Sequence, residues 1–380
     1  MNKINEVEAR RDEFRAFTRE FVSPYATQHD NEERIADHIV PDLAKRGYLA
    51  PFISQKWGGE GMDMITLGML HEEIGCGCSS VRSLLTVHGM SAFALNRWGS
   101  DALKEKWLSA LVRGEKIGGF ALSEPNAGSD VSGIEMTATV HEDGFLLNGT
   151  KKWITFGQIG DVFILMAKAE QGFTAFVVEK DMPGLTIEPI LGMTGTRGSM
   201  LAQLNFKDYF VHQDNVLASP AFGNVVMLST LVFGRFSVAS GSVGIIQASM
   251  DAVIEYSVRV QRFGKPLYKH QLVAQMITKM LSDLTASRLL CRNAGELLDK
   301  ADPSDIQAVF LAKYLASTSA VRAAADAVQI HGANGCTDKY PVERLLRDAK
   351  VMEIIEGSTQ ILEEKIADIE LQSYEQRDGK

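Results

Sequence analysis

Four cysteines in 380 residues, Cys76, Cys78, Cys291 and Cys336, are too few and too scattered for a disulfide framework. The close pair reads C-G-C where a zinc or redox site needs C-x-x-C, so the expectation is reduced, mostly packed thiols and no metal. Positive charge is also short: 39 Lys+Arg against 48 Asp+Glu leave a net −9. That balance offers no footprint for phosphate backbones and argues against a nucleic-acid partner. Nowhere do about 18 uncharged apolar residues follow one another, the length a membrane span requires. The best run, Val225 to Gly234, is interrupted by Ser229 and Thr230, so no membrane span is expected. The opening MNKINEVEARRDEF has no apolar signal-peptide core and too much acid for a transit peptide, which points to a cytoplasmic chain.

Common catalytic signatures are absent as well. His71-Glu72-Glu73-Ile74-Gly75 opens like H-E-x-x-H but has Gly where the second zinc histidine must stand. Gly75-Cys-Gly77 has Ser80 in place of the third glycine of a dinucleotide fingerprint, and Gly264-Lys265 runs into Pro266 with no phosphate loop before it. No G-x-S-x-G elbow occurs, so a serine hydrolase of that type has no nucleophile.

What is present is a folded, multi-domain composition: 45% hydrophobic and 23% charged residues. Residues 1–113 read as helical, with Phe14, Phe17 and Phe21, then Leu67, Leu70 and Ile74, at helix spacing. Residues 114–223 change to short β-rich runs: Thr137–Val140 and Phe145–Leu147 flank a Glu142-Asp143-Gly144 turn. Phe163–Met166, Thr174–Val178 and Leu201–Phe206 follow, with Pro183-Gly184 as a further turn. Residues 224–380 return to helix after Phe233. Ile245, Ala248, Ala252 and Ile254 lie on one helix, Leu272, Val273, Met276, Met280 and Leu284 on a second, and an Ala-rich third runs from Ser304 to Ile330. The fold class is therefore α+β in the order α, β, α.

Three polar clusters interrupt this pattern. Phe120-Ala-Leu-Ser-Glu-Pro-Asn-Ala-Gly-Ser-Asp130 is a strand running into a loop of small residues, where backbone N–H groups with Ser123 or Ser129 can approach a flat ligand. Asn148-Gly-Thr-Lys-Lys-Trp-Ile-Thr155 adds an aromatic face at Trp153 and a donor at Thr155. Each stretch alone also fits a capped surface turn. The third cluster is Gln329 to Gly335 followed by Glu356-Gly-Ser-Thr-Gln360. Glu356 follows Ile354-Ile355, and a carboxylate in apolar surroundings has its proton affinity raised toward that of a general base. Taken alone it reads more readily as an ordinary first-turn glutamate.

The same stretches resemble the acyl-CoA dehydrogenase family over nearly the whole chain: F-x-L-S-E-P-x-A-G-S-D (120–130), N-G-x-K-x-W-I-T (148–155), F-G-K-P-L (263–267), Q-I-x-G-x-N-G (329–335) and R-D-A-K (347–350) before E-G-S-T-Q (356–360). The resemblance implies a helical N-terminal domain, a β-barrel-like middle domain and a C-terminal four-helix bundle, assembled as dimers or tetramers. It implies FAD, with Phe120, Leu122 and Ser123 lining the flavin, Trp153 and Thr155 at its reactive edge, and Ser358 and Gln360 at the adenine-nucleotide half. Phe263, Gln271, Gln329, Gly332 and Ala333 would reach the neighbouring subunit's FAD. Glu356 matches the family base, with Gly357, Ser129 and Arg235 near the thioester ligand. An electron-transferring flavoprotein is the implied acceptor.

Two departures bear on function. The family's Tyr-x-x-x-Arg-x-x-Phe-Gly keeps Tyr256 and Phe263 here but has Val260 in the arginine place, so Arg259 or Arg262 is the candidate for the pyrophosphate contact. Arg82, in Val81-Arg-Ser-Leu-Leu-Thr-Val-His-Gly89, stands where glutaryl-CoA dehydrogenase holds its substrate's distal carboxylate. An unpaired arginine over an aliphatic tail is costly, which favours a short polar or carboxylated acyl group; the alternative is Arg82 turned to solvent.

Those residues with W-I-T-F-G-Q (153–158) also resemble dehydrogenases acting on acyl-carrier-protein thioesters, which help make hydroxymalonyl or aminomalonyl extender units. Lys104, Lys106 and Arg113 are the candidate basic patch for an acidic carrier protein. A CoA ester of glutaryl type, a flavin oxidase or monooxygenase on the same fold, and a non-catalytic scaffold are the competing readings.

Overall fold

A computed structural model describes residues 3–378, with side chains from 8 to 375. Six helices come first: α1 (Lys3–Phe17), α2 (Ala26–Glu32), α3 (Ile39–Lys45), α4 (Met64–Gly77), α5 (Ser79–Trp98) and α6 (Asp101–Val112). Their starts follow capping chemistry: the Asp63 carboxylate accepts Thr66 N–H at 2.7 Å before α4, and the Ser100 hydroxyl accepts Leu103 N–H at 3.3 Å before α6. Phe14 and Phe17, one helical turn apart, both pack edge-on against Tyr48, at 5.3 and 5.2 Å.

Seven strands form one curled sheet: β1 (Gly118–Ala121), β2 (Thr137–His141), β3 (Gly144–Ile154), β4 (Val162–Ala169), β5 (Gly172–Glu179), β6 (Leu185–Pro189) and β7 (Ala202–His212). The order is β1-β4-β2-β3-β7-β6, with β5 on β4. The expected β2–β3 hairpin forms, its turn carrying Glu142 at φ +50°. Val162 to Ala167 are all buried, as befits a strand covered on both faces, and β1 pairs with it in parallel.

The last third is helical: α7 (Gly223–Arg259), a short hairpin of β8 (Gln261–Arg262) and β9 (Lys265–Pro266), then α8 (Gln271–Asp299), α9 (Asp305–His331), α10 (Val342–Ile354) and α11 (Thr359–Asp378). Helix α7 begins at Gly223, well before the Phe233 read from the sequence. It is long and apolar enough to cross a membrane, but 72% of its most apolar window is buried inside the protein. Close backbone approach makes that possible: a Cβ at Gly75 of α4 would lie 2.8 Å from the Gly241 carbonyl of α7. Two residues assigned to apolar faces by spacing lie outside. Ile254 is 47% exposed because Met250 and Val253 already fill the inward positions, and Leu272 is 73% exposed in the first turn of α8, ahead of the buried stretch that starts at Met280.

Candidate active site

The first two sequence clusters meet through a buried ion pair. Where β1 ends, Leu122-Ser123-Glu124 turns toward β3, and Lys151 Nζ donates to the Leu122 carbonyl at 2.9 Å and to Glu124 Oε1 at 2.7 Å. Glu124 also accepts Glu135 N–H at 2.6 Å and Met136 N–H at 3.1 Å. Lys152 N–H donates to the Ser123 carbonyl at 2.9 Å. Burial pulls Lys151 down to about 8, opposed by its hydrogen bond and charge pairing with Glu124.

Next to this junction the β3–β7 register shifts between Lys151 and Ile154, and Trp153 sits at φ +65° with 48% of its surface exposed. A bulge with a left-handed, half-exposed tryptophan is a costly arrangement that persists only where surrounding contacts hold it. Phe120 is buried, and Leu122, Ser123 and Thr155 are half-buried. Ser129 lies further out on the exposed loop.

The helical side presents Glu356, at φ +56° in the turn between α10 and α11, followed by Gly357 at φ +98°. Its residue is half-buried, but carboxylate Oε2 is fully enclosed and has no hydrogen-bond partner. Burial pushes the carboxyl up to about 7, opposed by the charges of Arg235, Lys313 and Arg82. Arg235 of α7, its guanidinium 4.7 Å over the Phe310 ring, donates from Nε to the Glu356 carbonyl at 2.9 Å. Met90 Sδ and Glu356 Oε2 both lie beside Gly234, and Met90 belongs to the same buried cluster as Phe120 and Phe156.

Arg82 of α5 is 1% exposed, which rules out the solvent-facing alternative. It donates to Thr86 Oγ1 at 2.9 Å, Ser83 Oγ at 3.2 Å and Met352 Sδ at 3.0 Å, while its Nε has no partner. No carboxylate stands within 4 Å among the described residues. Burial pulls it down to about 10, with Asp348 and then Glu356 as the charges that oppose this. His71 of α4, the residue that opened the false zinc motif, is buried nearby and pulled down to about 3 by burial and then by Arg82. The adjacent Glu72 is structural, accepting Arg11 at 2.7 Å and Arg288 at 2.8 Å.

The remaining candidates do not join this cluster. Arg259 is 3.6 Å from Glu255, Arg262 donates to the Gln261 carbonyl at 2.7 Å, and Phe263 at the hairpin tip is 96% exposed. Gln271, Gln329, Gly332, Ala333 and Gln360 are exposed, and Ser358 is half-buried at the start of α11. The supposed basic patch is largely neutralised: Lys106 pairs with Glu179 and Arg113 with Glu115, each at 2.6 Å. A cavity of about 620 Å³ between α1, α4, α7 and α10 contains Arg259 but none of the other candidates.

Three participants escaped the sequence reading. Lys151 and Glu124 lie in separate motifs whose pairing is long-range. Lys313 is fully buried on α9, and its Nζ donates to the Gly357 carbonyl at 2.7 Å and the Glu353 carbonyl at 3.3 Å. Its signal was available: position 313 falls on the buried stripe of Val309, Ala316 and Ala320, where a lysine is out of place.

Comparison with known proteins shows the family to which this fold belongs. Family models match residues 5–115, 119–209 and 222–371 as the acyl-CoA dehydrogenase N-terminal, middle and C-terminal domains. The short-chain specific acyl-CoA dehydrogenase of Homo sapiens mitochondria is 34% identical over 366 residues, 95% of this chain and 89% of that protein. Glutaryl-CoA dehydrogenase of Desulfococcus multivorans is 34% identical over 376 residues, 96% of each. Among solved structures, a glutaryl-coenzyme A dehydrogenase with glutaryl-CoA superposes with TM-score 0.93 at 33% identity, covering 98% of this chain and 96% of that one. FkbI, for biosynthesis of the methoxymalonyl extender unit of a polyketide, gives 0.88 at 30%, covering 94% and 99%. The prolyl acyl carrier protein oxidase AnaB gives 0.92 at 26%, covering 97% and 98%. A Mycobacterium smegmatis glutaryl-CoA dehydrogenase in complex with FADH2 gives 0.92 at 26%, covering 97% and 95%.

Proposed function

The chain belongs to the acyl-CoA dehydrogenase family, and from that premise we propose that it oxidises a short, polar or carboxylated acyl thioester, with Glu356 removing the α-proton. Members of the family are FAD-dependent oxidoreductases acting on the CH–CH bond of acyl thioesters. The chain fits that cofactor on its own geometry: the strained, half-exposed Trp153 offers an aromatic face, and the enclosed Glu356 Oε2 lacks a partner that a bound ligand would supply. FAD, when bound, supplies the acceptor for the hydride leaving the acyl chain.

Phe120, Leu122, Ser123, Trp153 and Thr155 are the proposed flavin contacts, with Ser358 and Gln360 toward the nucleotide. Glu356 presents a carboxyl group whose enclosed Oε2 has no hydrogen-bond partner, its proton affinity raised by burial into the range a general base needs at neutral pH. Arg235 and Gly357 shape the turn beside it. In this reading Ser129 and the backbone N–H groups of the 356–357 turn face the thioester.

The observation that carries the substrate class is Arg82. A guanidinium enclosed by protein, with neutral partners and a free Nε, calls for an acceptor, and an acyl chain ending in a carboxylate or other polar group supplies one. A long aliphatic tail would leave that charge unanswered. Whether the acyl group arrives on a carrier protein or on CoA divides the likenesses: AnaB, a prolyl acyl carrier protein oxidase, favours a carrier-protein route, FkbI a role in making a polyketide extender unit, and the glutaryl-CoA dehydrogenases a CoA ester. We favour the carrier protein on the resemblance around Arg82 and residues 153–158; the neutralised Lys106 and Arg113 add nothing to it. The AnaB likeness supports an oxidase as the second reading.

The exposed Phe263, Gln271, Gln329, Gly332 and Ala333, with Arg259 or Arg262, are proposed to meet the FAD of a second copy in a dimer or tetramer. An electron-transferring flavoprotein is the proposed acceptor. The experiment is an anaerobic titration of the FAD-loaded protein with short acyl-CoAs, glutaryl-CoA among them, and with the matching acyl-loaded carrier proteins. Bleaching by polar or carboxylated thioesters in preference to butyryl and octanoyl esters supports the reading; preference for the aliphatic esters overturns it. Fast reoxidation by oxygen would assign the oxidase.

A further inference from the structure

Lys313 is a lysine with no exposed surface, on a helix whose buried stripe is otherwise small and apolar: Val309, Ala312, Ala316 and Ala320. A buried ammonium costs free energy unless its donors are satisfied, and a methionine would fill the same stem volume without that cost. Its hydrogen-bond partners are two carbonyls, those of Glu353 and Gly357, which bracket Glu356 on either side. Arg235 holds the carbonyl between them, that of Glu356 itself. Thus three carbonyls within five residues are gripped by two cations from α7 and α9, across a turn in which Glu356 and Gly357 both have positive φ.

A non-glycine residue at positive φ is strained and persists only where surrounding contacts fix it. Here they come from outside the turn. No ion pair within 4 Å joins Lys313 to the Glu356 carboxylate among the described residues, so its direct grip is on the backbone and its charge acts on the carboxylate through space.

We propose that Lys313 is a positioning residue for Glu356: through the Glu353 and Gly357 carbonyls it fixes the turn that aims the carboxylate past Gly234, and its ammonium is the counter-charge facing that carboxylate from α9. The inference rests on Glu356 being the base. Charges around the two groups agree with it. Burial pulls Lys313 down to about 7, with Glu356 opposing, Arg235 adding to the fall and Glu353 opposing. Burial pushes Glu356 up to about 7, with Arg235, Lys313 and Arg82 opposing. Each group thus favours the charged form of the other.

The test uses the FAD-loaded full chain as wild type, Lys313→Met, Lys313→Gln, Lys313→Arg and Glu356→Gln. Hydrogen exchange of amides 355–359 reads the hold on the turn, and the pH dependence of anaerobic flavin bleaching reads the charge. Lys313→Met is expected to speed exchange in that segment about tenfold or more, since the segment then opens locally. The same variant lowers the limiting bleaching rate about tenfold or more with the thioester's half-saturating concentration within about threefold, and moves the midpoint of the pH profile upward by about one unit.

Lys313→Arg restores most of both. Lys313→Gln, a neutral donor, keeps exchange near wild type but shows the upward midpoint, and it carries the test if Lys313→Met does not fold. A folded Lys313→Met with wild-type exchange and an unmoved midpoint overturns the proposal, as does a rate loss that only tracks a lower melting temperature. If Glu356→Gln bleaches normally, the base assignment falls, and the exchange result still decides whether Lys313 holds the turn.

Discussion

Gly234 stands directly against Glu356: a Cβ at position 234 would lie 2.5 Å from carboxylate Oε2 and 2.8 Å from Met90 Sδ. The absence of a side chain there leaves the carboxylate its place. Gly234→Ala is therefore expected to displace the acid by a fraction of an ångström and to slow anaerobic flavin bleaching about 10- to 100-fold, because proton transfer depends steeply on position. FAD content, read from the visible spectrum, should stay at the wild-type level.

The pH profile follows from the same carboxylate. With burial holding its proton up to about 7, Glu356 is protonated and inactive on the acid side. The bleaching rate should rise about tenfold per pH unit below that midpoint and level off above it. Stopped-flow measurement from pH 5.5 to 9 checks this; a plateau reached already at pH 5 would mean a carboxylate with ordinary proton affinity and a different base.

Arg82→Met separates substrate classes. Loss of a buried charged contact is worth about 2–4 kcal/mol, so kcat/KM for a carboxylated or polar acyl thioester should fall by about 30- to 1,000-fold. For butyryl-CoA it should change less than about tenfold or rise, since an apolar residue then faces an apolar tail. Stability, measured by urea unfolding, should hold or improve, because a guanidinium with no carboxylate partner has been removed.

The Lys151–Glu124 pair should matter through the loop it anchors. Glu124→Gln removes the counter-charge of a buried ammonium and turns an amide NH2 toward a backbone N–H that had a carboxylate oxygen to donate to, with an expected loss of about 3–5 kcal/mol in urea unfolding. FAD should dissociate more readily from that variant, while the double change Glu124→Leu with Lys151→Met recovers stability but not flavin affinity.

The outline of this fold is readable from local pattern. The β2–β3 hairpin declares itself through Glu142-Asp143-Gly144 and α4 through the helical spacing of Leu67, Leu70 and Ile74, whereas Glu356 stands out only through the family motif around it. What stayed hidden is whatever depends on distant segments. Glu124 and Lys151 could not be paired from the sequence, because nothing local brings β3 against the loop after β1. Arg82 could not be told from a solvated arginine until α5 was seen enclosed by α7 and α10, with Gly241 and Met352 against it. Ile254 and Leu272 misled in the opposite direction, since helical spacing identifies a face but not where the neighbouring helix ends.

Replacing the one carboxylate at the centre of the account tests it most directly. FAD-loaded wild type and Glu356→Gln are mixed anaerobically, in a stopped-flow instrument, with a short carboxylated acyl thioester. The variant is expected still to bind the thioester, seen as a perturbed flavin spectrum, but to bleach at least about 1,000-fold more slowly, because its general base has been removed. Bleaching within about tenfold of wild type would contradict it, placing proton removal on another group.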